Sequence, residues 1–381
     1  MPAYFWTDPV AHGGSLSEIR VVQPIVMVHA GALDNHLRFL GTLNLEGLTI
    51  PNGELAMGDW GEGFVDRRHA HTYLHEAMLT YQQELVPGAQ PVRLSVSGGK
   101  GFAPFGTDDP MSRPVLRYPV NHHLAQILER AVAIVGLRAG PLLLEGGLFN
   151  GDEPERPSQW PKISRFADSW SARATLLASR SLEFQGSHAE VHSPEHRPGF
   201  GTDQQKWSVS GRWDGMIQRL PVYGLVEWAH TSEAGGFFVF QSALAEGACT
   251  LGPSRLYYRF ERTERPEEER GLRRFRSHRP ILENSILGTT RWTIHTAGYG
   301  REVQPVRALT TFPFMEVSYG RIGKVGEGLF DSQSFYGKTS FWSITLGARL
   351  SVGMAMHRMG RYGVAQDTAP GMEMAQHEHH E

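Results

Sequence analysis

The segment Lys206–Asp214, KWSVSGRWD, alternates between two kinds of residue with a period of two. In an extended strand successive side chains point to opposite faces. One face would carry the apolar and small residues Trp207, Val209, Gly211 and Trp213. The other face would carry the polar residues Lys206, Ser208, Ser210, Arg212 and Asp214. This segment therefore predicts a strand with one apolar and one polar face.

The same alternation recurs along the chain. It appears in Val92–Gly99, Trp170–Leu176 and Leu256–Glu261, and in Thr289–His295, where Arg291 is predicted to be on the polar face. No stretch shows a helical period over a full helix length, and no run of 18 apolar residues exists, so a transmembrane helix is excluded. The chain is predicted to be all-β.

Fourteen strands are predicted, with a range of 12 to 16. They cover residues 37–48, 73–85, 92–102, 126–137, 142–150, 170–177, 182–191, 206–213, 222–230, 237–244, 255–263, 285–295, 306–319 and 341–356. Tight connections such as 86–90 and 138–141 contrast with long polar ones such as 103–125 and 264–284. Short turns at one rim and long loops at the other are typical of an antiparallel up-and-down transmembrane β-barrel.

The composition favours such a barrel over a soluble β-sandwich. Hydrophobic residues make up only 40% of the 381 residues, whereas glycine (43) and tryptophan (9) are frequent. A barrel with a wet inner face needs less apolar material than a large soluble core does, and aromatic residues near strand ends match the girdles of outer-membrane barrels. The net charge of −3 gives no indication of a nucleic-acid partner.

Three regions are predicted: a poorly structured or periplasmic segment (1–35), the barrel (36–363) and a disordered tail rich in Met and His (364–381). The first 14 residues, MPAYFWTDPVAHGG, have neither a basic nor an apolar signal region. The predicted location is the outer membrane of a Gram-negative bacterium, so we expect the export signal to lie outside the given sequence.

Residues 92–151 resemble the phosphate-selective porin (porin O and P) family. Three groups of residues carry the resemblance: Gly99, Lys100, Pro104, Phe105 and Gly106; then Glu129, Arg130 and Ala131; then Phe149, Asn150 and Gly151. The resemblance implies an outer-membrane porin, typically a homotrimer, with a loop folded into the lumen. It places that constriction loop at residues 103–125, with Asp108, Asp109, Arg113, Arg117, His122 and His123 facing the pore. The alternative is an ordinary extracellular loop.

The predicted inner faces carry an arginine on many strands. The pore-lining candidates are Arg93, Arg130, Arg173, Arg212, Arg259, Arg291 and Arg349. Rings of arginine inside a pore favour anions. The same faces carry glutamates such as Glu145, so a second interpretation is that Arg and Glu pair across adjacent strands and brace the wall.

Histidines form the candidate metal sites. His69 and His71 would share one strand face, and the tail adds His377, His379 and His380. No cofactor is expected, and no enzyme either, because neither G-x-S-x-G nor H-E-x-x-H occurs. The predicted function is an outer-membrane porin, embedded in lipid, through whose charged lumen small polar or anionic solutes diffuse. The alternatives are an all-β binding protein for metal or carbohydrate without a pore, and a structural or adhesive barrel with a plugged lumen.

Overall fold

In a computed structural model of the protein, the residues described are 1–8, 16–49, 71–88, 91–154, 156–268, 286–306, 308–326, 331, 333–334, 337–353 and 358–368. Within them, 18 strands form one sheet. The strands are β1 (Pro2–Asp8), β2 (Leu16–Val21), β3 (Ile25–Ala32), β4 (Leu37–Asn44), β5 (Leu74–Val86), β6 (Val92–Gly101), β7 (Arg130–Ala139), β8 (Leu142–Phe149), β9 (Ser169–Leu177), β10 (Leu182–Val191), β11 (Gln204–Ile217), β12 (Leu220–Glu233), β13 (Phe238–Leu251), β14 (Ser254–Glu268), β15 (Ile286–Arg301), β16 (Val303–Val306), β17 (Leu309–Lys324) and β18 (Ser340–Val352).

Helices are few and short in the described ranges. Two α-helical turns, α1 (Glu46–Thr49) and α2 (His122–Ala125), lie in connections between strands. Four 3-10 turns cover Pro110–Ser112, Ile163–Arg165, Ala234–Gly236 and Gly363–Thr368. Among the described residues, no helix is long and apolar enough to cross a membrane.

The sheet returns on itself. Sixteen antiparallel pairings in the described part of the chain lead from β3 through β4 to β15, and then to β17, β18, β1 and β2. An even number of antiparallel steps gives β2 and β3 the same direction, and only residues 22–24 separate them. They are therefore one interrupted strand, which connects the two ends of the sheet into a barrel.

The interruption has a local cause. Pro24 lacks a backbone N–H, and Gln23 has a positive φ of 50°. β15 and β16 are likewise two parts of one strand, because both pair with β17. The 18 described strands thus occupy 16 positions around the barrel. The prediction of an up-and-down antiparallel barrel is confirmed, and each of the 14 predicted strands corresponds to one position.

The predicted N-terminal segment (1–35) differs from the structure, which places β1, β2 and β3 in the barrel wall. These strands are short and interrupted, so their alternation is too brief to recognise. The predicted disordered tail (364–381) begins too early in the chain, because residues 364–368 belong to a 3-10 turn whose Val364 and Ala365 are buried inside the barrel. Residues 369–381 lie outside the described ranges.

The wall is apolar outside and more polar inside. Along β11, Ser208 and Ser210 are buried while Trp207 and Val209 are about half exposed, as the alternation predicts. Other strands expose large apolar side chains on the same outer surface, including Leu79, Val96, Val135, Leu144, Val226, Leu256, Trp342 and Leu346. An apolar belt of this extent is the surface of a barrel in lipid rather than of a soluble monomer.

The two rims differ, and this orients the chain. β5 and β6 are joined by a short turn, and the connection from β6 to β7, residues 102–129, leaves from the opposite rim. Eleven antiparallel pairings separate β6 from β18 within the described strands, so these two strands run in opposite directions. β18 therefore ends at the short-turn rim.

Candidate functional site

The connection 102–129 is folded into the barrel. Its predicted constriction residues are at most 3% exposed wherever the side chain is described: Asp108, Asp109, Arg113, Arg117 and His122. The side chain of His123 lies outside the described part. A loop that is buried along its length cannot be an ordinary solvated connection, so the structure places it in the lumen, as the resemblance implies.

Glutamates on the far wall hold this loop. Glu316 on β17 accepts a hydrogen bond from the backbone N–H of Leu116 at 2.9 Å. Glu261 on β14 accepts one from the N–H of Val120 at 2.6 Å. Glu227 on β12 accepts hydrogen bonds from the hydroxyl of Thr107 and from the amide of Asn121, the latter at 2.7 Å. The loop therefore spans the lumen from the β6–β7 side to the opposite wall.

Two predicted pore-lining arginines brace the wall. Arg173 on β9 lies opposite Glu145 on β8 in the register, and two N–O distances of 2.6 and 2.7 Å join the two groups. Arg259 on β14 lies opposite Glu246 on β13, with its Nε 2.7 Å from the carboxylate. Both arginines are at most 2% exposed. Pairing across adjacent strands is what the bracing interpretation expects.

The remaining inward arginines also have partners. Arg130 forms an ion pair with Glu153, Arg93 with Glu84, and Arg212 with Asp108 and Asp214. Arg349 donates to the backbone carbonyl of Met111 at 3.3 Å. The described lumen thus presents paired charges rather than a continuous basic track.

Arg291 does not line the lumen, and this prediction is corrected. Its neighbours Trp292 and Ile294 are each 1% exposed and face inward, so Arg291 faces outward. The indole of Trp292 packs on Phe341 with ring centroids 5.4 Å apart. Arg291 pairs with Glu264 on the outer face near the long-loop rim, 2.5 Å away. Because the lumen is apolar at this point, the apolar side of the alternation marks the inside.

Apolar clusters fill much of the lumen. One joins the constriction loop to the wall and contains Met111, Val115, Leu116, Tyr118, Tyr223, Leu225, Tyr257, Phe312, Phe314 and Met359. A second contains Leu40, Met78, Phe102, Phe105, Ile134, Phe149, Val191 and Tyr362. Many inward polar side chains are also inaccessible to water, such as Ser208 and Thr296, both at 0% exposure. The predicted charged lumen is therefore a mixed interior that the chain itself occupies.

Two histidines near the start of β5 contact glutamates in the connections on either side of β5 and β6. His71 Nδ1 lies 2.7 Å from Glu46, and His75 Nδ1 lies 2.5 Å from Glu129, all four side chains being buried. Burial by itself would raise the pKa of Glu46, but the hydrogen bond and charge of His71 lower it below its ordinary value. The ring of His122 lies 6.3 Å from that of His71. These contacts join the β4–β5 connection and the start of β5 to the β6–β7 connection at the long-loop rim.

The predicted metal sites lie mostly outside the described part of the chain. Among the described residues, no group of three or more His, Cys, Asp or Glu side chains is placed to hold a metal ion. His69, His377, His379 and His380 lie outside the described part of the chain. Of the five metal candidates, only His71 is described, and its partner is a carboxylate.

Residues 358–368, which span the predicted boundary between the barrel and its tail, lie in the lumen beside the loop. Arg358 donates to Asp108 at 2.6 Å, and Tyr362 donates to Glu76 at 2.6 Å. Burial would raise the pKa of Asp108, but the charges of Arg358, Arg212 and Arg361 outweigh it and hold that pKa well below its ordinary value. We name residues 358–368 the luminal segment.

No family model matches the chain, and no curated protein matches it. An anion-selective porin from Comamonas acidovorans is 8% identical, with a TM-score of 0.51, and the match covers 92% of this chain and 97% of that one. OmpT, an outer membrane protein of Vibrio cholerae, is 10% identical with a TM-score of 0.48 over 92% and 95% of the chains. OccK10 (OpdN) from Pseudomonas aeruginosa is 10% identical with a TM-score of 0.41 over 93% and 97%. The first comparison shows that the chain has the fold of a porin barrel.

Proposed function

We propose that the protein is an outer-membrane channel for small polar solutes. The observation that carries this proposal is the loop 102–129, which crosses the lumen and is hydrogen-bonded by wall glutamates on β12, β14 and β17. A constriction held by fixed hydrogen bonds selects solutes by size and charge without any chemical step. The apolar outer wall supports a position in outer-membrane lipid.

Charge selectivity is expected to be modest. Of the six predicted pore-lining arginines that face inward, five are paired with carboxylates, so this set leaves little unbalanced positive charge to attract anions. Among these six, Arg349 donates to a backbone carbonyl, so its positive charge is not neutralised by that partner. It therefore supports the anion preference that the resemblance implies. We propose a channel for small polar solutes with at most a weak preference for anions.

The test is single-channel conductance in a planar bilayer with a KCl gradient across it. The protein is first shown to be folded by its change in electrophoretic mobility on heating. Discrete current steps with a small reversal potential would support the proposal. A folded barrel that never conducts, with or without residues 358–381, would overturn it and favour the structural or adhesive alternative.

The homotrimer implied by the resemblance remains a prediction. Its measurement is the mass of the detergent-solubilised protein by analytical ultracentrifugation. The alternative of a soluble binding protein is disfavoured by the half-exposed apolar side chains on the outer wall, of which Val226 is 59% exposed and Trp342 is 52% exposed.

A further inference from the structure

The luminal segment is held by two carboxylates on different parts of the chain. Asp108 lies in the constriction loop and Glu183 lies on β10. Arg358 donates to both oxygens of Glu183, at 2.7 and 3.0 Å, and its Nε donates to Asp108 at 2.6 Å. Arg361 donates to Asp108 at 3.0 Å and to Glu183 at 3.2 Å. Each guanidinium therefore lies between the same two carboxylates.

This geometry is specific for guanidinium. A planar group with several N–H donors in fixed directions can serve two carboxylates at once, whereas an ammonium group is a single point of charge. Gln185 adds an acceptor for Arg361 at 2.5 Å. Asp108 and Glu183 are 1% and 8% exposed, so solvent screens the interaction little.

The backbone of the luminal segment also packs closely against β6. Gly363 has a φ of 56°, and a Cβ there would lie 2.2 Å from the hydroxyl of Ser95. The N–H of Val364 donates to the same hydroxyl at 3.1 Å, and the hydroxyl of Tyr362 accepts from the N–H of Phe102 at 3.0 Å. The segment is thus matched to the wall on β6 and to the start of the constriction loop.

The segment is held by side-chain and single backbone hydrogen bonds and by the packing of Met359 and Tyr362 in the two apolar clusters, and none of these contacts is part of the strand pairing. Its withdrawal toward the short-turn rim would leave the 16 barrel positions intact. It would also remove Arg358 and Arg361 from Asp108 and Glu183. Of the arginines bonded to the Asp108 carboxylate, Arg212 would remain. A buried site with excess negative charge favours a cationic ligand.

We propose that Asp108 and Glu183 form a guanidinium-binding site of the channel, that the luminal segment fills this site with the chain's own Arg358 and Arg361, and that small guanidinium solutes displace it. The proposal rests on the channel function proposed above. It makes the segment a plug whose release depends on solute chemistry rather than on a partner protein.

The first experiment compares three proteins in planar bilayers: the full chain, a chain ending at residue 357, and a chain ending at residue 368. The channel formed by the shortest chain should be open for a fraction of time that is at least about tenfold larger than for the full chain. The chain ending at 368 keeps the luminal segment and should behave like the full chain. Equal conductance of all three would overturn the plug while leaving the channel function in place. If none conducts although all are folded, both proposals fail.

The second experiment tests the ligand. Arginine amide, with lysine amide as the matched control, is added to the chain ending at 357. Arginine amide should block the current, and Glu183→Gln should weaken that block about tenfold. Glu190→Gln is the matched control, because Glu190 lies on the same strand and is half exposed on the outer face. Equal block by both amides, or block unaffected by Glu183→Gln, would overturn the guanidinium site.

A third measurement uses the full chain and needs no current. In a Cys249→Ser background, Met359→Cys places a thiol at a position that is 1% exposed. Its labelling by a maleimide should be slow, and arginine amide should accelerate it several-fold while lysine amide does not. Rapid labelling without solute, or the same rate with both amides, would contradict the proposal.

Discussion

Glu145 and Arg173 face each other across β8 and β9 and are joined by two N–O distances below 2.8 Å, in a position where neither side chain is more than 5% exposed. Arg173 also donates to the carbonyl of Gly106 in the constriction loop at 3.3 Å. This pair therefore joins two strands of the wall and the loop in one contact. Substitution of either residue therefore tests how much this buried ion pair contributes to stability.

Glu145→Ala should lower the free energy of unfolding by about 3–5 kcal/mol, because it leaves the Arg173 guanidinium buried without its counter-charge. The double variant with Arg173→Ala should lose less than the sum of the two single variants. Urea titration of the protein refolded in lipid vesicles measures both effects. Arg93→Ala is the control, since its pair with Glu84 is about one-third exposed and should contribute about 0–1 kcal/mol. Equal losses at the two sites would contradict this account.

Val226→Arg should destabilise the protein by about 2–4 kcal/mol, because Val226 lies in the middle of β12 on the outer face, where a charge would enter lipid. Val303→Arg, near the short-turn rim, should lose about 0–1 kcal/mol. The same unfolding titration gives both values. In a soluble protein both exposed substitutions would fall within about 0.5 kcal/mol of zero, so that result would favour the binding-protein alternative.

Closure of the channel by the luminal segment should not depend on pH between about 5 and 8. The pKa of Asp108 in the folded protein is held well below its ordinary value of 3.8. A carboxylate with a lowered pKa contributes its stabilisation fully above the unfolded value and loses it as the pH falls through the folded one. The open fraction measured against pH should therefore rise only below about pH 5, where the carboxylates that hold the segment begin to take up protons. A rise near pH 6 would instead implicate the histidines at the long-loop rim.

Gly363→Ala should open the channel several-fold, because the added Cβ would lie 2.2 Å from the Ser95 hydroxyl and displace the luminal segment. Gly353→Ala is the matched control. It also has a positive φ, of 94°, but a Cβ there meets no atom of the described residues within 4 Å. Both substitutions strain the backbone, so only the clash distinguishes them. Single-channel open times measure the difference, and equal effects would show that strain alone is responsible.

Period-two alternation predicted the architecture well because it reports directly on which face is buried. It found 14 of the 16 barrel positions and assigned both faces of β11 correctly. It failed at β15, where Trp292 and Ile294 point inward while Ala297 and Tyr299 point outward. Because β15 has apolar residues on both faces, its alternation does not show which face points into the barrel. The packing of Trp292 on Phe341 shows that the face with Trp292 points inward.

The site was predictable only in part. The constriction loop was found through its resemblance to a family, since its burial depends on glutamates that are about 100 to 200 positions distant, such as Glu227 and Glu316. The luminal segment has no periodicity and no motif. Its role follows from contacts such as that of Arg358 with Asp108, 250 positions apart, which no local pattern records.

The pairing of β1 with β18 constrains the order in which the barrel assembles. Thr7 donates a hydrogen bond to Ser343 at 3.1 Å, across 336 positions of the chain. β1 therefore has no neighbour on that side until β18 is in place. Until then the growing sheet has two open edges, each ready to pair with another chain. Correct closure of the barrel thus requires that the free edge of β1 does not pair with another chain before β18 pairs with it.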